Sequence, residues 1–176
     1  MQGSVYVAIS LDGFIARRDG NLDWLMSADP GEGDFGFDEF LSSVDALAMG
    51  RNTFDFVLGA GEWPYGEKPV FVMTHRDLDL PVGFPGRVET HAGSPVAFAI
   101  ECESRGIEKV YVDGGETVQA FIRAGLVTRI VTTRLPTLIG SGIPLFGPVD
   151  EDVRLRLVES RAFENGWIQD EYEVVS

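Results

Sequence analysis

Strands that alternate with helices, a closing stretch without helical period, and glycines at a strand-to-helix junction predict an α/β protein. The expected core is a mixed, mainly parallel sheet of about eight strands with helices on both faces. In order, "SVYVAIS" reads as a buried strand, and "FGFDEFLSSV" as a helix with Phe37, Phe40, Leu41 and Val44 on one side. "DALAMG" returns to strand, "RNTFDFVLGAG" forms a short helix closed by glycine, and "KPVFVMTH" is a further strand. "RVETHA" precedes the helix "SPVAFAIECESRG", where Ser94 is the expected N-cap and Pro95 the first helical residue. The strand "EKVYVD" leads into "ETVQAFIRAG", whose Val118, Phe121 and Ile122 share a face, and the long strand "TRIVTTRLPTL" follows. In "VRLRLVESRAFENGWIQDEYEVV", Asn165-Gly166 lies between two alternating runs and signals a tight hairpin, which makes the last part of the sheet antiparallel.

With 176 residues, of which 44% are hydrophobic and 11% aromatic, the chain is long enough for one substantial core, so one domain over residues 1–176 is expected. No apolar run reaches the roughly 20 residues of a membrane helix, and "MQGSVYVAISLDG" lacks the pattern of a signal peptide, so a cytoplasmic protein is expected. Cys102 is the single cysteine, and His75 and His91 are the only histidines, which leaves little with which to build a metal site; none is expected. A net charge of -14 repels nucleic acid and anionic membrane. An anionic small molecule needs a local gathering of cations and backbone N–H groups.

Three segments offer such a gathering, each where a strand ends and the chain turns toward a helix N-terminus or loop. Gly114-Gly115 follows "VYVD", and without β-carbons it either lets an oxygen-rich group approach the main chain or makes a tight turn. In "MGRNTF", Gly50 ends a strand and Arg51 and Thr53 occupy the first helical turn. A cation there faces either an anionic ligand or a surface carboxylate. Thr74, His75 and Arg76 follow "PVFVM" with a hydroxyl, an imidazole and a guanidinium, as ligand groups or as solvated loop residues. Several donor clusters on one sheet edge suit phosphates in series, as in a dinucleotide with an extra ribose phosphate.

These motifs, in this order, resemble the dihydrofolate reductase-like superfamily and, within it, the reductase domain of the bifunctional riboflavin-biosynthesis deaminase-reductase and its stand-alone relatives. The markers are "SLDGFIA", Asp23-Trp24, "MGRNTF", Thr74-His75-Arg76, "YVDGGETVQAFIRAGL" and "PTLIGSGIPLF". The resemblance implies an NADPH-dependent reductase of a small heterocycle, either pterin-like or ribosylaminopyrimidine-like, and a homodimer. A non-catalytic nucleotide-binding module of the same fold is the alternative. It assigns Gly50, Arg51 and Thr53 to the pyrophosphate side, Thr74, His75 and Arg76 to the adenosine 2′-phosphate, and Gly114 and Gly115, with Glu116 and Thr117 after them, to the pyrophosphate. A cis peptide between the paired glycines is a further family expectation. Asp12-Gly13 corresponds to the turn of a mobile lid or to an ordinary surface turn, with backbone near Ala8 and Ile15 facing the nicotinamide.

Hydride transfer requires alignment, exclusion of water and a proton source. The resemblance places a family carboxylate on Asp34, with Asp38 one turn later; Asp34 equally suits the N-cap of its helix, and Asp38 a solvated surface. Trp24 matches a substrate-bordering tryptophan or packs in the core, and Trp63 and Tyr65 border the pocket or clasp the core. Cys102 lies on an apolar helical face and reads as packing. No zinc-deaminase signature is present.

Overall fold

The computed structural model describes residues 1–31 and 33–175. Its main sheet has eight strands: β1 (Gln2–Ser10), β3 (Ala46–Gly50), β4 (Pro69–Met73), β5 (Arg87–His91), β6 (Lys109–Asp113), β7 (Val127–Leu135), β9 (Arg154–Ala162) and β10 (Ile168–Val175). They lie in the order β5-β4-β3-β6-β1-β7-β10-β9, parallel from β5 to β7 and antiparallel over the last two. This is the expected class and mixed pairing. The small ribbon β2 (Phe14–Ala16) with β8 (Ile143–Pro144) has no counterpart in the sequence reading, because two or three residues are too few to show a period.

The helices are α1 (Asp23–Met26), α2 (Phe37–Ser42), α3 (Arg51–Gly59), α4 (Pro95–Ser104) and α5 (Gly115–Arg123). Strand alternation sorts them onto two faces. Ala46 and Ala48 of β3 point toward Phe98 and Cys102 of α4 and Val118 and Phe121 of α5. Leu47 and Met49 point the other way, toward Phe40 of α2 and Phe54 of α3. Both faces of the central strands are therefore covered, which explains why β3 reads as an unbroken apolar run. Full burial of a side chain such as Phe54 or Phe121 contributes roughly 1.5–3 kcal/mol. A third cluster, Trp24, Leu135 and Trp167 with Phe35 and Ala8 packed on it, sits beside the second.

Local signals hold in most places. Ser94 caps α4 by accepting from the Ala97 amide, with Pro95 at the first position. The β9–β10 hairpin does turn at Asn165-Gly166, but not as a two-residue loop. The Gly166 amide donates to the Phe163 carbonyl, the Phe163 amide to the Trp167 carbonyl, and only Gly166 has positive φ. That is the three-residue loop in which a type I turn is followed by a left-handed glycine. Asp34 is not the N-cap of α2; Gly36 is, and Asp34 reinforces the start from two residues upstream. Among the described residues no helix is long and apolar enough to cross a membrane.

Candidate active site

The register of the parallel strands brings the three segments onto one edge. Gly50 pairs with Met73, and Met49 pairs with Asp113, so the carboxyl ends of β4, β3 and β6 are side by side. Helices α3 and α5 begin immediately after β3 and β6, and neither N-terminus has a side-chain cap, in contrast to α4. Their first amides have no intrahelical acceptor, and the two positive dipole ends reinforce one another.

Glycine permits this proximity. A Cβ on Gly114 would stand 2.5 Å from Thr53 Oγ1, and one on Gly50 would stand 3.0 Å from Thr117 Oγ1. Each helix start thus sets a threonine against the other's glycine. Gly115 approaches Ile143 and Ile15, where a Cβ would meet Ile143 Cγ2 at 2.7 Å. The Gly114–Gly115 bond is trans: no cis peptide occurs among the described residues, contrary to the family expectation. The twin glycines therefore have a packing reason of their own, with Gly114 at φ +91°. Glu116 is exposed in the first turn of α5, and Thr117 is buried.

Arg51 does pair with a surface carboxylate, through Asp55 at 2.7 Å, but it also bridges segments. Its Nη1 donates to the Asp77 carbonyl beyond β4 at 2.9 Å. Thr74 is buried, and its Oγ1 accepts from the Arg76 amide. His75 and Arg76 are exposed on the same loop, and the Arg76 guanidinium has no ion-pair or hydrogen-bond partner among the described residues. One tethered and one free guanidinium accordingly flank two uncapped helix ends.

The lid-like turn is anchored, which corrects the reading of Asp12 as an ordinary surface turn. Asp12 accepts from Ser10 Oγ at 2.6 Å, from the Gly140 amide at 2.7 Å and from the Ile139 amide at 3.3 Å. The Ser10 hydroxyl above all, then these amides, holds its carboxyl below the ordinary carboxylate range. The Leu145 amide donates to Gly13, and β2 pairs with β8, so "SLDGFIA" and "IGSGIPLF" form one unit. Ile15 packs against the first core cluster, and Ala8 against the third.

Both proposed helix carboxylates are exposed. Asp34 is exposed; its oxygens accept from the Gly36 amide at 3.0 Å and the Asp38 amide at 2.9 Å, which hold it ionised below the usual range. Asp38 is exposed on the first turn of α2. Trp24 is buried in the third cluster, yet its indole N–H has no partner among the described residues. Trp63 and Tyr65 belong to the second cluster, where Trp63 meets Tyr65, Phe54 and Phe84 edge to face, and so clasp the core. Cys102 is fully buried, and burial pushes its thiol up to about 11.

The carboxyl whose pKa is raised is Asp113, the last residue of β6, which sequence reasoning passed over. Part of the residue retains surface, but the carboxyl itself is enclosed, and burial raises its pKa despite the Gly114 amide donating to Oδ1 at 2.8 Å. The neighbouring Tyr111 hydroxyl donates to the Tyr6 carbonyl at 2.9 Å. Beside Asp113 that hydroxyl, like the Gly114 amide, works against the rise, so burial is the cause that dominates. The available signal was a carboxylate ending an otherwise apolar strand, one residue before the uncapped helix.

The fold and edge define a dihydrofolate reductase-like α/β protein. A sequence model of the RibD C-terminal domain matches residues 96–169. A solved structure of a putative riboflavin biosynthesis protein from Shewanella sp. PV-4 is 36% identical, covers 100% of both chains and superposes with a TM-score of 0.88. Dihydrofolate reductase HdrB of Haloferax volcanii is 32% identical over 128 residues, 70% of this chain and 62% of HdrB. At 15% identity the dihydrofolate reductase of Enterococcus faecalis, solved with NADP(H) and RAB-propyl, shares the fold with a TM-score of 0.64 over 99% of this chain and 97% of its own. The chain belongs to the RibD C-terminal domain family, and that family points to an oxidoreductase.

Proposed function

We propose that the protein is an NADPH-dependent reductase that transfers a hydride to a small heterocycle, pterin-like or ribosylaminopyrimidine-like. The observation that carries this reading is the pair of uncapped helix N-termini, α3 and α5, abutting through Gly50–Thr117 and Gly114–Thr53. Such an edge supports an extended diphosphate, with Arg51 beside it and Arg76 free for a further phosphate. NADP(H) in the Enterococcus faecalis structure is consistent with that cofactor class. When bound, the nicotinamide supplies the hydride, which adds to the carbon of a C=N bond while the nitrogen takes a proton.

The chain's own residues then bind, orient and protonate. Ala8 and Ile15 provide the apolar floor and edge, and the turn at residues 11–13, held by Asp12, keeps water from the reacting carbon. Asp113, whose enclosed carboxyl has its pKa raised by burial, is the candidate proton donor in place of Asp34 or Asp38. An oxidation assay following NADPH absorbance over dihydrofolate, dihydropterins and ribosylaminopyrimidines tests the reading. Turnover of one of them is expected. Tight NADPH binding without oxidation by any would instead favour a nucleotide-binding module, the alternative that the exposed Asp34 and Asp38 keep in view.

A further inference from the structure

Gln169 is on the face of β10 that looks toward Tyr6, opposite Thr133 of β7. Its Nε2 lies 3.1 Å from Tyr6 Oη, 3.0 Å from the Phe35 carbonyl oxygen and 3.0 Å from Thr133 Oγ1. A carbonyl oxygen only accepts, so the atom facing Phe35 must be the amide nitrogen, and the orientation of the carboxamide is fixed by chemistry. Two protons serve three neighbours, which saturates the nitrogen. Oε1 then points away from all three, has no partner among the described residues, and is not among the enclosed unpartnered atoms, so it retains some contact with solvent.

The surroundings make this acceptor rigid. The Phe35 carbonyl also accepts from Tyr6 Oη at 2.8 Å. Phe35 itself is the one non-glycine residue with positive φ (57°) among the described residues, and its ring stacks on Trp167 and meets Phe163 edge-on. A left-handed phenylalanine is strained and persists only where its surroundings over-determine it. The same cluster contains the buried Trp24 indole N–H without a partner. Beside Phe35, then, there is an open, oriented acceptor and an orphan donor, both on the side of the sheet that carries Ala8 and Asp113.

We infer that Gln169 sets substrate specificity: its Oε1 accepts a hydrogen bond from the ring N–H of a lactam, the –NH–C(=O)– edge of an oxo-heterocycle. This rests on the reading of the cleft as a heterocycle site and goes further by naming the ring edge it selects. Methylating that nitrogen removes the donor, and Gln169→Leu removes the acceptor at similar volume.

The test is a double cycle on the full chain with NADPH present. A 2-amino-4-oxopteridine, a 5,6-diaminopyrimidinedione and the N3-methyl form of each are titrated against wild type and Gln169→Leu. Wild type is expected to bind one N3–H compound about 10-fold more tightly than its methyl analogue. In Gln169→Leu that ratio is expected to fall to about 1, with the methyl analogue bound as in wild type. A ratio that survives in Gln169→Leu means the methyl merely clashes and overturns the inference. So does a wild-type ratio near 1, which needs no variant and stands even if Gln169→Leu does not fold. Failure of every heterocycle to bind wild type overturns the reading of the cleft, and the role of Gln169 with it.

Discussion

Replacing Gly114 with alanine tests the junction of α3 and α5 most directly. Two costs follow from the structure. Gly114 sits at φ +91° and ψ 140°, a region that residues with a Cβ enter at roughly 1–3 kcal/mol. The new Cβ would also stand 2.5 Å from Thr53 Oγ1, so the side chain must retreat by about 1 Å to reach ordinary contact, an overpacking cost of about 1–3 kcal/mol. The central expectation is a loss of about 4 kcal/mol, a large share of the roughly 5–15 kcal/mol that holds a domain. For a chain of this length that lowers the unfolding midpoint by about 8–16 °C. Thermal unfolding of Gly114→Ala, Thr53→Ala and the double variant separates the two costs. Against Thr53→Ala as reference, the second substitution should cost only the backbone share, about 2 kcal/mol. NADPH affinity, read by fluorescence titration, should fall about 10-fold or more as the helix ends separate. An unfolding midpoint within 2 °C of wild type, or a penalty undiminished by Thr53→Ala, refutes the argument that these helix starts are locked by reciprocal glycine–threonine contacts.

Arg76→Ala should lose most of the proposed preference for NADPH over NADH, about 10-fold or more, because the free guanidinium would be the charge-assisted partner for the extra phosphate; equal affinities in wild type would remove its role. Asp113→Asn should lower kcat by about 100-fold or more, and the wild-type rate should decline as pH rises through a pKa above the ordinary carboxylate range. Because that pKa is raised on folding, the stability tied to its proton is complete below the unfolded value of about 3.9 and is lost as pH rises through the folded one. Asp113→Asn, free of that loss, should be the more stable protein above neutrality, as measured by urea unfolding; lower stability there counts against an enclosed, protonated acid. Asp12 has the opposite sign: its lowered pKa means that its contribution is present above the unfolded value of about 3.9 and is lost as pH falls through the folded one. Asp12→Asn should speed proteolytic cleavage within residues 11–16, whereas an unchanged rate would show that the turn does not depend on the carboxylate.

The sheet was legible because its signals are local. The run at residues 46–50 is apolar on both faces, Ser94-Pro95 announces α4, and Val118, Phe121 and Ile122 mark the buried side of α5. The candidate cofactor edge was legible in part for the same reason, since each segment adjoins a strand end. What escaped is nonlocal. Asp12 looks like half of an Asp-Gly turn, and nothing near it in the chain reveals that its carboxylate accepts from Gly140, 128 residues on. Gln169 reaches Tyr6 across 163 residues and Thr133 across 36, with no periodicity to mark any of the three. Asp34 misled in the other direction: its distance from Gly50 along the chain suggested a catalytic acid, while its own neighbours, Gly36 and Asp38, consume its oxygens.

The twin glycines show why a motif and its cause must be separated. Read along the chain, Gly114-Gly115 suggests a backbone left bare for a ligand. In three dimensions, Thr53 and Ile143 already occupy the space that β-carbons would need, so the glycines would be required even without a cofactor. The case for an anion therefore moves from the missing side chains to what their absence allows. With α3 and α5 drawn together, two sets of free amides and two dipole ends converge on one point of the sheet edge, and neither helix supplies a side chain to satisfy them. Charge bears on this too: on a chain of net charge -14, two of the scarce arginines, Arg51 and Arg76, stand at this edge. The proposed polyphosphate would satisfy those amides at one stroke and give the guanidinium of Arg76 a partner.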